Sequence, residues 1–108
     1  MTVDEKNGVR LLTLETEHLD ALNSEEVKKL LINGSADAEK VILNLEKITF
    51  VDSSGLGVIL TVFRHIKENN GKMLICSVKE SVKVLFKLVR LSHMIEIVDS
   101  EKEALNQI

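Results

Sequence analysis

The chain has 108 residues, with 14 Lys and Arg against 17 Asp and Glu, a net charge of −3, one cysteine, and three Phe as its only aromatic residues. That length suits one domain, residues 1–108, and lets roughly two-thirds of the unfolded surface be buried without disulfide or metal staples. An acidic, aromatic-poor chain lacks the basic groove and stacking platforms of a single-strand nucleic-acid binder. Its apolar runs fall short of the ~20 residues a membrane span needs, and Cys76 alone builds neither a disulfide nor a cysteine metal cluster.

The first residues, MTVDEKNG, show no basic region followed by an apolar stretch. The expectation is a cytoplasmic protein with protein or small-ligand partners, no nucleic acid and no membrane. Residues 1–5 then read as an antiparallel edge strand turning at Asn7-Gly8, a strong hairpin signal, into a strand over Val9–Glu15. NSEEVKKLL predicts a helix capped by Asn23 or Ser24 that buries Val27, Leu30 and Leu31. Asn33-Gly34 is expected to end it, because both residues tolerate left-handed backbone angles.

KVILNLEKI, from Lys40 to Ile48, is a β-branched apolar run, as expected of a strand covered on both faces. From Gly55 the period becomes helical, with Leu56, Ile59, Leu60, Phe63 and Ile66 on one face and Asn69-Asn70-Gly71 as the stop. KMLICSV reads as a buried strand. Ser77 with Glu80 reads as a capping box for a helix whose inner face is Val78, Val82, Leu85, Phe86 and Val89. MIEIV is a last strand, and Ser100 with Glu103 is a second capping box before a terminal helix. Alternating strands and helices predict an α/β domain: a mixed, mainly parallel sheet of about five strands, the first edge strand antiparallel, with about four helices. Strand order is not legible.

Between the KVILNLEKI run and the second, amphipathic helix lies Asp52-Ser53-Ser54-Gly55. A helix N-terminus presents free N–H groups and tolerates an anion, so a phosphoryl group on Ser53 would add charge without unwinding the helix. Simple capping by Asp52 or a serine explains the same residues, and both readings stand. Nucleophilic catalysis fits poorly: an elbow needs Gly-x-Ser-x-Gly, and Val51 stands where the first glycine should be. His18, His65 and His93 form no recognisable pattern with an acid, and His65 reads as a solvated flank residue. An aspartyl-phosphate receiver would need Glu15, Glu17 or Asp20 to hold a cation beside Asp52, and a late lysine where this chain has Ser77. No Gly-rich nucleotide loop is present, and no cofactor is expected.

Gly57 falls on the outer helix face with Thr61 and Arg64, where a glycine costs roughly 0.8–1 kcal/mol against alanine. Packing does not demand it there, so a bare backbone suits the approach of another molecule. The flanking Val58 and Val62 fit either that surface or the margin of a wide core face.

VILNLEKITFVDSSGLGVIL resembles the signature region of the STAS domain, specifically the single-domain bacterial anti-sigma factor antagonists. LDALNSEEVKKLL, GKMLICSVKESVKVLFKLVRL and IEIVDSEKEAL are similar to other segments of that family, so the likeness spans nearly the whole chain. The resemblance implies a non-enzymatic, phosphorylation-controlled partner switch in transcription. Unphosphorylated, such a protein binds an anti-sigma factor serine kinase and frees a sigma factor. The kinase modifies the serine after the Asp, here Ser53, and a metal-dependent serine phosphatase reverses this. The implied docking surface takes Asp20 and Asn23 from the loop after the first full strand. Asp52, Ser54, Gly55, Leu56, Gly57 and Val58 join it from the second helix and its start. Two departures stand out: Glu17-His18 replaces the family's Gly-Glu, and Val89-Arg90-Leu91 replaces its Ser-Gly-Leu. A second reading keeps the switch but gives it a target other than sigma, in secretion, biofilm formation or a signalling enzyme.

Overall fold

In the computed structural model, which describes residues 1–108, the chain opens on an antiparallel hairpin of β1 (Thr2–Lys6) and β2 (Val9–Thr13). Asn7 and Gly8 between them have φ of 53° and 79°, both positive, as the two central residues of a type I′ turn must be. The hairpin joins β4 (Lys40–Asn44), β6 (Lys72–Cys76) and β7 (Ile97–Val98) in the order β1-β2-β4-β6-β7, every pairing after the first being parallel. Four helices follow the strands: α1 (Ser24–Gly34), α2 (Ser53–Glu68), α3 (Glu80–Leu88) and α4 (Glu101–Gln107). The architecture is the mixed, mainly parallel α/β sheet that the alternating pattern predicts. None of the helices is long and apolar enough to cross a membrane.

Strand alternation sends side chains to two cores. Leu12, Val41, Leu43, Met73 and Ile75 pack with Val27, Leu31, Ile59, Phe63, Ile66, Val82 and Phe86 of α1, α2 and α3. Val9, Leu11, Ile42, Cys76 and Val98 face the other way and meet Ala104 of α4. Residues 41–44 are therefore buried throughout, which is why β4 reads as an unbroken apolar run.

Several local expectations are corrected. Leu30 is 40% exposed and Val89 48% exposed, so neither belongs to its helix's inner face. α1 runs through Gly34, and neither Asn33 nor Gly34 is left-handed. A Cβ at Gly34 would lie 2.7 Å from Met1 Cε, a flexible side-chain end free to swing aside, and 3.2 Å from Leu12 Cδ2. Arg10 closes this helix end, its Nη1 donating to the carbonyls of Gly34 (2.8 Å) and Ala36 (3.0 Å) while Nε donates to Glu5 (2.9 Å).

Ser77 does not cap α3. Its φ is 62°, its N–H donates to Val98 O at 3.2 Å, and the helix begins only at Glu80. The strand expected at residues 94–98 shortens to Ile97–Val98, because Arg90 (φ 60°) turns the chain into a 3-10 segment at Leu91–His93 and Ile95 enters the core. The Ser100 cap is present: Oγ accepts from Glu103 N (3.1 Å), and Glu103 Oε2 accepts in return from Asp99 N (3.2 Å).

Candidate docking and modification site

Two-residue strands carry no readable period, and the sequence gives no hint of the element that builds the site. β3 (His18–Leu19) pairs in parallel with β5 (Phe50–Val51), aligning His18 with Phe50 and Leu19 with Val51. Glu17 O accepts from Thr49 N (2.7 Å) and Thr49 Oγ1 (3.1 Å), and Asp52 N donates to Leu19 O (3.3 Å). This small sheet carries the loop before α1 to the N-terminus of α2.

Asp52 sits in extended conformation (φ −110°, ψ −171°) as the N-cap of α2. Its Oδ1 accepts from Gly55 N at 3.0 Å, and its Oδ2 accepts from Ala21 N at 3.1 Å across the site. These bonds to the charged form, that of Gly55 foremost, hold the Asp52 carboxyl below its ordinary value, with partial desolvation opposing them. Capping thus belongs to Asp52, not to a serine, and the helix starts at Ser53. Ser53 is exposed and occupies the first helical position.

The loop opposite is held as firmly. Asn23 Oδ1 accepts from Asp20 N (3.0 Å), and its Nδ2 donates to His18 O (2.8 Å). Asp20 Oδ1 accepts from Leu22 N (3.0 Å) and lies 3.0 Å from His18 Nδ1. Asn23 caps α1 by position, but its side chain serves this loop and bonds no helical N–H. Beside it opens a cleft of about 330 Å³ lined in part by Met1, Leu14, His18, Asn23, Val27 and Leu30, which is where Leu30 remains uncovered.

The expected docking residues separate by exposure. Gly57 is exposed and a Cβ there would meet nothing within 4 Å, whereas Asp20, Asn23, Asp52, Ser54 and Leu56 are half-buried. Gly55 and Val58 are buried, which removes both from the accessible surface. Gly55 is instead a close-approach position: a Cβ would lie 2.1 Å from Leu19 O, so α2 meets β3 only through a glycine. Val62 is buried as well, and the two valines are the margin of a wide core face.

Leu22, 89% exposed, and Phe50, 55% exposed, flank the site and escaped the sequence reading. Leu22 precedes the helix cap, where an apolar residue ordinarily staples onto the residue here occupied by Val27; its exposure follows from the loop's hydrogen bonds, which sequence does not display.

Of the acids a receiver would need, Asp20 lies in the loop that Asp52 bonds through Ala21 N, while Glu15 is engaged elsewhere. Glu15 bonds Lys47 and Thr2, the Lys47 bond foremost in lowering its pKa, and no three acidic, histidine or cysteine side chains converge on a metal-holding point. His65 lies in the last turn of α2, at the far end of the helix from Ser53.

Residues 1–104 match the family model described as the STAS domain. The chain is 32% identical to the anti-sigma F factor antagonist of Paenibacillus polymyxa, over 98% of this chain and 92% of that protein. An anti-sigma-factor antagonist (STAS) domain protein of Planctomyces limnophilus superposes with a TM-score of 0.87 at 20% identity, covering 96% of this chain and 93% of that one. SpoIIAA, a Bacillus cell fate determinant, superposes with TM-scores of 0.71 in its unphosphorylated form and 0.70 in its phosphorylated form. Both forms are 19% identical and cover 98% of this chain, and this chain covers 94% and 96% of theirs. A family match over nearly every residue, with a fold that superposes on solved members, settles the kinship: the chain belongs to the STAS domain family.

Proposed function

We propose that this protein is an anti-sigma factor antagonist working as a phosphorylation-controlled partner switch, itself without catalytic activity or cofactor. Unphosphorylated, it binds an anti-sigma factor serine kinase in the cytoplasm, so that a sigma factor is released. The kinase phosphorylates Ser53 and the complex parts; a serine phosphatase restores the binding form.

One observation carries this reading: Asp52 has taken over the cap through Oδ1 while its Oδ2 holds the facing loop, so Ser53 is exposed and unneeded for capping at the start of a 16-residue helix. Phosphate at that position meets the positive end of the helix dipole and leaves the fold intact. The same dianion, trapped unpaired in an interface, carries a heavy desolvation cost. The named Paenibacillus relative and the phosphorylated SpoIIAA neighbour support it. Around Ser53, the accessible docking surface is formed by Asp20, Leu22, Asn23, Phe50, Ser54, Leu56 and Gly57.

The test is incubation with the cognate kinase and ATP, with phosphate mapped by mass spectrometry. Phosphate is expected on Ser53 and absent from Ser53→Ala, with Ser54→Ala unaffected. A base-labile acyl phosphate on Asp52, or no modification at Ser53, refutes the reading.

A further inference from the structure

Half of the large apolar side chains that this protein exposes lie in one short stretch outside the Ser53 site. Val84 is 54% exposed, Leu88 76%, Val89 48% and Met94 53%. Val84 and Leu88 stand one turn apart on the solvent side of α3, opposite the buried Val82 and Phe86. The left-handed Arg90 then turns the chain so that Val89 and Met94 follow.

The charge here is opposite to that of the molecule. Residues 79–94 carry four basic side chains (Lys79, Lys83, Lys87 and Arg90) against the single acid Glu80, while the remaining residues carry ten basic against sixteen acidic. Of the four, only Lys83 is committed, donating to Asp99 at 3.1 Å. Scattered exposed apolar residues need no explanation; an apolar group framed by uncommitted cations in an acidic chain does.

We propose that the solvent face of α3 and the turn after it form a second docking surface, for an acidic protein segment that presents apolar side chains at helical spacing. Val84, Leu88, Val89 and Met94 receive the apolar side, and Lys79, Lys87 and Arg90 select the acidic flanks. A lipid surface fits less well, because the patch has no aromatic side chain to anchor at a membrane interface and the acidic remainder of the chain is repelled by anionic headgroups. The surface shares no residue with the Ser53 site, although α3 packs beside β5, which carries Phe50 of that site; its partner is expected to bind in either state of Ser53.

The probe is a capped amphipathic peptide with leucines at i, i+3, i+4 and i+7 and glutamates elsewhere, titrated into the full chain by amide NMR alongside its lysine-for-glutamate counterpart. Shifts are expected within residues 79–95 for the glutamate peptide only, weakened at least about tenfold by Lys87→Glu with Arg90→Glu and by Leu88→Ser, and unchanged in Ser53→Glu. Because these side chains are exposed, the variants should stay folded, with a melting temperature only slightly lowered because Lys87→Glu puts an acid in the last turn of α3, which circular dichroism verifies. Absent shifts, equal shifts with the lysine peptide, or shifts centred on residues 18–23 and 52–57 overturn the proposal. So does cosedimentation with phosphatidylglycerol vesicles that Lys87→Glu abolishes, which assigns the patch to a membrane. A dimer seen by light scattering and lost in Leu88→Ser, which assigns it to a second copy, overturns it equally. The peptide readout is independent of Ser53 modification, so either reading can fail alone.

Discussion

The Asp52 carboxylate bonds the backbone of Ala21, thirty-one positions earlier, at 3.1 Å while its other oxygen caps α2 through Gly55. One side chain therefore fixes the helix start and the facing loop relative to each other. Asp52→Ala should lower the melting temperature and speed amide exchange at both Ala21 and Gly55. Protection lost at Gly55 alone would show that the bond to the loop is incidental.

The same geometry sets a pH dependence. The folded protein favours charged Asp52, so its contribution is complete above the ordinary carboxylate range and lost as pH falls through the lowered folded value. Wild type should lose stability more steeply below about pH 4 than Asp52→Asn, whose amide does not titrate. Thermal melts of both across that range check this; parallel curves would contradict it.

The two glycines of the α2 start should respond in opposite directions. Gly55→Ala forces a Cβ against Leu19 O and should destabilise by about 3 kcal/mol or more, since backbone cannot yield as a side chain can. Gly57→Ala meets no atom and should stabilise by about 1 kcal/mol, while weakening the partner complex if that face is approached closely. Denaturant melts read the first effect in each case, and calorimetric titration with the kinase reads the second.

Ser53→Glu should abolish kinase binding in a pull-down beside wild type, with the fold unharmed. An acid in the first helical turn contributes about 0.3–1 kcal/mol of stabilisation, so the melting temperature should hold or rise slightly. A large fall would make Ser53 a structural residue.

Arg10→Ala removes the donor shared by the Gly34 and Ala36 carbonyls at the end of α1. A loss of about 1–3 kcal/mol is expected, measured by urea denaturation, with Ser53 phosphorylation retained.

The hairpin, the parallel core strands and the Ser100 cap were legible because each rests on a local rule: turn chemistry at Asn7-Gly8, β-branched runs, a hydroxyl three residues before an acid. The capping box at Ser77 matched the same pattern and failed, since tertiary pairing with Val98 holds that serine left-handed. The Asp52-Ser53-Ser54 motif left open which residue caps α2; the cap bond from Gly55 N to Asp52 is local, but the second bond, from Ala21 N, is one that only folding supplies. Leu22, Phe50 and the β3–β5 pair were invisible because two-residue strands and hydrogen-bonded loops leave no periodic trace. Leu30 and Val89 obey helical spacing and are exposed all the same, because no element lies opposite to cover them.

The parallel pairing of His18 with Phe50 and Leu19 with Val51 has a practical corollary. A synthetic peptide copying residues 48–67 would contain the serine and its neighbours yet lack Leu19, Ala21 and the loop that completes their geometry. A kinase that reads linear sequence would modify such a peptide readily; one that reads the assembled surface would ignore it. The ratio of peptide to protein phosphorylation thus measures how much of the substrate's identity resides in its tertiary structure.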